Sequence, residues 1–526
     1  MKDEYDLVIL GWGAAAFSAA IKASEITSNQ ASIAMIGTRM GGTCVNAGCV
    51  PSKYLIGAAA EVYAKRHSFY PGVTPLTSQF DFEALMASLG ETVEWERKTK
   101  YEDVIRNYGN VELVKGIASF EGRGAVSVIS ERGKQTINGH DVIIATGSSP
   151  KIPEVSGLRE AGFLTSEDVW DLKEVPSSLA VIGDGPIAAE LGQAFERLGS
   201  EVVVLMKHPW LVPRAEPELG MALTEALRSE GVKFEPSARV RAVKKTRNGK
   251  LVEFSAGEGE EKRAEVDEVL VAVGRSPNLP FGLEKAGVAY SDRGIKVDAS
   301  MRTTSPRVYA AGDVVDQPLM LETLAAKEGA MIAENVYDHA GKELDLRAVP
   351  WSVFSDPQLA SVGYKEAEYP GKAVSRLLPL ESVPRARIMR RREGMFKLVV
   401  DAETDKVVGV HALTPIATEV IVEGVYALKY GLTVSDIVDA THVFPTLSEG
   451  IKLAAQSFTR DIEKMSCCVE RRRSSNSSKV QASGGRCELL NRVSLPHGHD
   501  FLSGQQNRED WHRPFWTAAK LRFGIC

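Results

Sequence analysis

The sequence is short of cysteine and histidine, has no excess of positive charge, and contains no apolar run long enough to span a bilayer. Six cysteines and nine histidines are spread over 526 residues. The cysteines fall at 44 and 49, at 467 and 468, and singly at 487 and 526, which does not make the framework of an extracellular disulfide scaffold. Lys and Arg number 63 against 69 Asp and Glu, for a formal net charge of -6. No basic face for nucleic acid is therefore expected. "MKDEYDLVIL" places charged residues directly after Met1 and then enters a strand pattern, which is not the apolar segment of a secretory leader. With no run of membrane length elsewhere, the expected setting is the cytoplasm, with no membrane partner. Hydrophobic residues make up 44% of the chain, enough to fill several cores at this length.

What is present is organised around two similar turns. "YDLVIL" at residues 5–10 is a short apolar strand followed by "GWGAAAFSAAIKA", in which Gly11, Gly13 and Ala16 set the turn and helix start of a dinucleotide-binding βαβ unit. About 170 residues on, "VIGDGPIAAELGQAF" repeats the pattern at Gly183, Gly185 and Ala188. One chain thus offers two nucleotide sites. The strand-turn segments "VIIATGSSP" at 142–150 and "EVLVAVGRSPN" at 268–278, with "VYAAGDVVD" at 308–316, follow the same α/β texture. Past Asp345 the pattern changes to alternating strands, "VPWSVFSDPQLASVGY" and "MFKLVVDAETDKVVGVHAL", and then to helical runs from about Thr418 and Gly450, which predicts an antiparallel sheet in a separate C-terminal domain. Residues 469–526 are rich in Ser, Arg and Gly without sustained apolar periodicity, and are expected to be disordered.

The segment that carries chemistry is "GGTCVNAGCVPSKYL", residues 41–55. Cys44 and Cys49 lie five apart at the start of an expected helix, with Pro51 suited to its first turn. A helix N-terminus and Lys53 both favour the thiolate, the form that attacks disulfides and binds soft metals. The other pair, Cys467 and Cys468, is adjacent in sequence. Bridging neighbours strains an ordinary disulfide, so this pair is suited to another task.

GGTCxNxGCxPSK resembles the redox-active segment of the flavin-dependent pyridine nucleotide-disulfide oxidoreductases, over roughly residues 4–468. The resemblance implies two Rossmann-like domains, one for FAD and one for NADPH, and a C-terminal α+β dimerisation domain. It divides the chain into 1–150 and 278–345 for the flavin, 151–277 for NADPH, and 346–468 for the dimer contact. Gly42, Thr43, Thr146, Gly147, Gly274 and Asp313 then contribute to the cofactor sites, with Asp313 at the ribityl or phosphate region of the flavin. Cys44 becomes the interchange thiol and Cys49 the thiol against the flavin. Lys53 lies near the flavin N5 and pairs with Glu190.

Members that reduce disulfides carry a catalytic histidine in a motif like HxHPTxSE. Here "THVFPTLSE" aligns His442 with the first histidine and puts Phe444 at the catalytic position, with Glu449 where its carboxylate partner stands. A phenyl ring transfers no proton. "EGIKLAAQSFTRDIEKMSCC" is instead similar to the end of the mercury-reducing members, in which a vicinal cysteine pair collects Hg(II) for the redox pair of the other subunit. The implied function is reduction of Hg(II) to Hg(0) by NADPH through FAD, in a homodimer whose metal-handling residues are Cys44, Cys49, Cys467 and Cys468. The alternatives are a dihydrolipoamide dehydrogenase-like enzyme and a protein that sequesters soft metals without turnover. After the second strand of the NADPH unit, "VVVLMKHPWLVPR" lacks the acid that would bind a 2′-hydroxyl, and Lys207, His208 and Arg214 are expected to meet a 2′-phosphate. Gly37 stands where an acid binds the flavin's adenosine ribose, and Pro186 where an aromatic often lies beside the nicotinamide.

Overall fold

The computed structural model describes residues 2–461, apart from 77, 78, 132 and 258. The first layer is a seven-stranded sheet. Six of its strands, β1 (Glu4–Leu10), β2 (Ile33–Gly37), β3 (Val111–Lys115), β4 (Ile117–Phe120), β5 (Ala125–Ser130) and β6 (Gly133–Ile144), run in the order β3-β2-β1-β6-β5-β4. β3, β2, β1 and β6 are mutually parallel, with Leu10 opposite both Ile36 and Ile144. Helix α1 (Ala14–Ile26) crosses from β1 to β2, as a parallel pair requires. Its small side chains Ala16, Ala19, Ala20 and Ala23 are fully buried, so it lies close on the sheet. Helix α2 (Cys49–Arg66) follows the cysteine segment.

The second nucleotide unit repeats this plan on a smaller sheet. Strands β7 (Ser178–Ile182), β8 (Glu201–Leu205), β9 (Lys233–Glu235) and β10 (Glu268–Val271) are parallel in the order β9-β8-β7-β10. Helices α3 (Pro186–Leu198) and α4 (Pro217–Ser229) make its crossovers. The chain then returns to the first sheet, where β11 (Val308–Ala310) pairs in parallel with β6, and helix α5 (Glu322–Tyr337) packs on α1.

The C-terminal sheet has five antiparallel strands: β12 (Trp351–Val353), β13 (Gln358–Gly363), β14 (Ala373–Pro379), β15 (Met395–Asp401) and β16 (Val407–Thr414), in the order β12-β13-β16-β15-β14. Alternate residues of each strand face opposite ways. Ala360, Val362, Val410 and Ala412 join the core beneath helix α6 (Ala417–Tyr430), whereas Leu359 and Leu413 belong to the core shared with the nucleotide layers. The α/β pattern and the antiparallel C-terminal sheet expected from the sequence are both present.

Candidate active site

Gly11 closes β1 with a φ of 135°, a region that L side chains rarely adopt. A Cβ there would overlap the Ala145 carbonyl oxygen at the end of β6. Gly13 then starts α1, and no side chain caps the helix N-terminus, so its first N–H groups remain free for an anion such as a pyrophosphate. The cysteine segment lies against this turn. Gly42 has a φ of 60°, and a Cβ on it would come within 2.8 Å of the Gly13 Cα. Two backbones therefore meet where only glycines fit. They border a cleft of about 800 Å³ lined by Gly11, Gly13, Thr43, Thr146, Gly147 and Asp313 among others. The glycine cradle, the uncapped helix and the volume all fit a bound dinucleotide.

Cys44 sits in the short helix Gly42–Asn46 and Cys49 is the first residue of α2. Both thiols are free, and Cys49 is exposed to the cleft. They hydrogen-bond to each other, which lowers the Cys49 pKa and raises that of Cys44. Burial adds to the rise at Cys44, while at Cys49 it opposes the fall and the Lys53 charge assists it. Of the two, Cys49 is the thiol shifted toward the thiolate and Cys44 the one shifted toward keeping its proton.

Lys53, one turn into α2, reaches across to the second unit. Its Nζ is 2.8 Å from Glu190 on α3, and it lies 4.4 Å from the centroid of the Phe354 ring. Glu190 is only 6% exposed. Its other oxygen accepts from the Phe354 backbone N–H at 2.9 Å, so this carboxylate joins α2, α3 and the segment after β12. Both of its oxygens are satisfied, which a buried carboxylate requires.

Asp313 accepts a hydrogen bond from Ser148 at 2.7 Å. Ser148 accepts one from Arg275 at 2.7 Å, and Arg275 also donates to the Ser148 carbonyl. Thr146 donates to the Asn278 carbonyl at 2.6 Å, and the Gly274 carbonyl accepts from Lys151. The two strand-turn segments are therefore stitched together beside the cleft. Ser148 and Arg275 were not singled out in the sequence, although "GR" and "GSS" stood inside the quoted turns. Glu328 on α5 was also missed. It is fully buried, accepts from the Gly312 N–H at 2.6 Å, and has its other oxygen unpaired. Burial pushes its pKa up to about 7.

At the second turn, Gly183 has a φ of 141° and packs on the Ala272 carbonyl, Ala188 is fully buried, and Gly185 opens onto free space. Lys207 and His208 follow β8. The His208 ring and backbone N–H both lie 2.9 Å from the Asp184 carboxylate, so an acid is present near this strand end, supplied by the turn itself. Of the three cations expected to meet a 2′-phosphate, Arg214 has surroundings of its own. Its guanidinium stacks 5.1 Å from the Trp351 ring centroid and donates to the Pro318 carbonyl. Arg214 lines the redox cleft, whereas Lys207 and His208 do not.

The Gly37 position has a steric explanation. A Cβ there would come within 2.6 Å of the Trp12 ring, and the Trp12 indole N–H donates to the Met35 carbonyl. Trp12 therefore covers the end of β2. His442 pairs with Glu423 at 3.0 Å, which raises its pKa, and Phe444 is 57% exposed. Glu449 keeps one buried oxygen without a partner, and burial raises its pKa. Cys467, Cys468 and the tail at 469–526 lie outside the described residues. Among the described residues no helix is long and apolar enough to cross a membrane.

Comparison with known proteins agrees with this geometry. The pyridine nucleotide-disulphide oxidoreductase model matches residues 5–329, and the dimerisation domain of that family matches 349–455. The chain is 40% identical over 474 residues to a mercuric reductase of Staphylococcus aureus, covering 89% of this chain and 84% of that protein. It is 37% identical over 474 residues to a mercuric reductase of Streptomyces lividans, covering 88% and 98%. Among solved structures, LpdA from Mycobacterium tuberculosis superposes with a TM-score of 0.77 at 26% identity, over 87% of this chain and all of that one. A Cu(II) complex of the flavoprotein disulfide reductase RclA from Escherichia coli gives 0.76 at 26% identity over the same shares. By its cleft, its free cysteine pair and these matches, the chain belongs to the pyridine nucleotide-disulphide oxidoreductase family.

Proposed function

We propose that this chain is a mercury(II) reductase that uses FAD and NADPH. The observation that carries the reading is the pair of free thiols in the cleft, Cys49 the stronger acid and Cys44 the weaker, with Phe444 where the disulfide-reducing relatives place a histidine acid. Soft thiolates select soft ions, and a substrate that leaves as an atom needs no proton. The relatives named mercuric reductase support the same choice.

FAD, held at Gly11, Gly13, Thr43 and Asp313, supplies when bound a two-electron carrier between NADPH and the thiols. Gly183, Gly185, Ala188 and Lys207 hold NADPH. Lys53 stabilises negative charge at Cys49, and Glu190 fixes Lys53 in place. Hg(II) takes the Cys49 thiolate and displaces the proton of Cys44, which leaves to solvent, so both sulfurs ligate the ion. The net reaction is balanced: NADPH and Hg(II) give NADP⁺, H⁺ and Hg(0). In the homodimer, Cys467 and Cys468 of the partner subunit are proposed to deliver the ion, one sulfur at a time, making each site composite. The proposed setting is the cytoplasm.

The test is NADPH oxidation with Hg(II) in excess thiol, with volatilised mercury counted. Stoichiometric Hg(0) is expected. Oxidation of dihydrolipoamide with NAD instead would establish the dehydrogenase, and tight metal binding without turnover the sequestering protein. For the relay, dimers combining a Cys44→Ala, Cys49→Ala chain with a Cys467→Ala, Cys468→Ala chain should regain about half the wild-type rate if the sites are independent. Activity no higher than either mutant homodimer would confine the relay to one chain.

A further inference from the structure

A second cavity, of about 350 Å³, lies between the loop that follows β8 and the C-terminal sheet. Its wall is one cross-strand row: Trp351 of β12 stands opposite Ser361 of β13, and Ser361 opposite His411 of β16. Directly opposed residues share a face of the sheet. These alternate with Ala360, Val362, Val410 and Ala412, so they point away from α6. Ser361 and His411 are 2% and 1% exposed. Even so, the Ser361 hydroxyl and the His411 Nδ1 have no hydrogen-bond partner. His411 Nε2 is 3.0 Å from the Tyr364 carbonyl and 3.9 Å from the Glu216 carboxylate; both only accept, so Nε2 carries the hydrogen, and with burial favouring the neutral ring Nδ1 is left a bare acceptor. Buried polar atoms of this kind cost stability unless something pairs with them.

The rest of the lining is cationic. Arg214, Arg347 and Lys365 border the cavity, against one carboxylate, Glu368. Arg347 and Lys365 have local acids, Asp345 and Glu368, each at 2.8 Å. Arg214 has the Pro318 carbonyl and the Trp351 ring beside it and no carboxylate in ion-pair range among the described residues, the Glu368 charge acting on it only from further off. A ligand that suits this lining carries negative charge toward the cations and an O–H toward the His411 acceptor. We propose that the cavity binds a small hydroxylated oxyanion, of the hydrogen-phosphate or hydroxycarboxylate class, and that the redox cleft senses it through Arg214 and Trp351. Both residues line both cavities. β12 leads from Trp351 to Phe354, whose N–H holds Glu190 against Lys53, so a shift at Trp351 is passed to the ion pair beside Cys49. This site is independent of the metal reading above.

The flavin-loaded full-length protein is titrated calorimetrically with inorganic phosphate, and separately with citrate, in a zwitterionic buffer. One saturable site per chain is expected, with a change in tryptophan fluorescence that is lost in Trp351→Phe. Saturation by phosphate alone or by citrate alone identifies which member of the class is the ligand. Ser361→Val and Lys365→Gln should each weaken binding about tenfold; Lys365→Gln changes a part-exposed side chain outside the core and guards against misfolding of the first. No saturable site with either anion, or unchanged binding in both variants, would overturn the proposal. So would displacement of phosphate by NADPH and not by NADH, which would make the cavity the 2′-phosphate end of the nucleotide site.

Discussion

The turns at Gly11 and Gly183 have almost the same backbone and different surroundings. Gly11 and Gly183 have φ values of 135° and 141°, each packed on a carbonyl of the neighbouring parallel strand. Gly13 and Gly185 cap their helices at φ of -92° and -84°, with ψ of -173° in both. The difference lies in what covers them. The cysteine segment presses Gly42 onto Gly13, while nothing stands within 4 Å of a Cβ placed on Gly185. At the residue between the glycines, Trp12 folds over Gly37, whereas Asp184 turns toward His208. One local geometry thus serves an enclosed turn, suited to a group that stays, and an open turn, suited to one that exchanges.

The largest effect should come from Gly11→Ala, which meets both the Ala145 carbonyl and the positive φ. It is expected to abolish flavin retention, read as the ratio of flavin to protein absorbance. Gly185→Ala, with an ordinary φ and no protein atom within 4 Å of the new Cβ, should retain full flavin, and its cost should fall on KM for NADPH, whose approach to the backbone the methyl group narrows. Equal damage from both would erase the contrast between closed and open turns.

Next comes the thiol pair fixed beside the enclosed turn. The Cys49 pKa is depressed, first by the Cys44 hydrogen bond and then by Lys53, so its thiolate persists to lower pH than an ordinary cysteine's. Lys53→Met should move thiolate formation up by about one pH unit, and Cys44→Ala should move it further. Titration of thiolate absorbance near 240 nm checks both, and an unmoved midpoint would remove Lys53 from its role.

At the open turn, Lys207→Glu should cut kcat/KM for NADPH at least about tenfold and leave NADH nearly unchanged. Steady-state kinetics with both cofactors decide this. A parallel loss for NADH would place Lys207 at a part of the nucleotide common to both.

The smallest effect concerns Glu328, under the enclosed site. Its pKa is raised from 4.5 to about 7 by burial, so the folded chain holds a proton there that the unfolded chain has released. Stability from this group is present below about pH 4.5 and fades as the pH rises toward 7. Glu328→Gln should flatten the Tm profile across that window by about 2 °C.

Much of this was legible from residue order because each signal was local. A strand, two glycines at fixed spacing and an Ala-rich helix specify a βαβ turn through backbone sterics alone, and the alternation after Asp345 specifies an antiparallel sheet. Cys44, Cys49 and Lys53 lie within ten residues, across the short helix Gly42–Asn46 and the start of α2. The features that were missed depend on partners far along the chain. Arg214 was grouped with Lys207 by proximity in sequence, yet its neighbours are Trp351 and Pro318. Ser148 and Arg275 come together only when their two turns pair, and Glu328 gains its role from the Gly312 N–H above it.

The sequence by itself therefore determined the two nucleotide turns, the thiol pair and the antiparallel C-terminal sheet, because these follow from φ restrictions, side-chain period and helix starts. Only the tertiary structure decided which turn is covered, that the Phe354 N–H holds the second oxygen of Glu190, and that Ser361 and His411 face a cavity with unpaired atoms. Those outcomes depend on which surfaces three sheets present to one another, and no run of neighbouring residues carries that information.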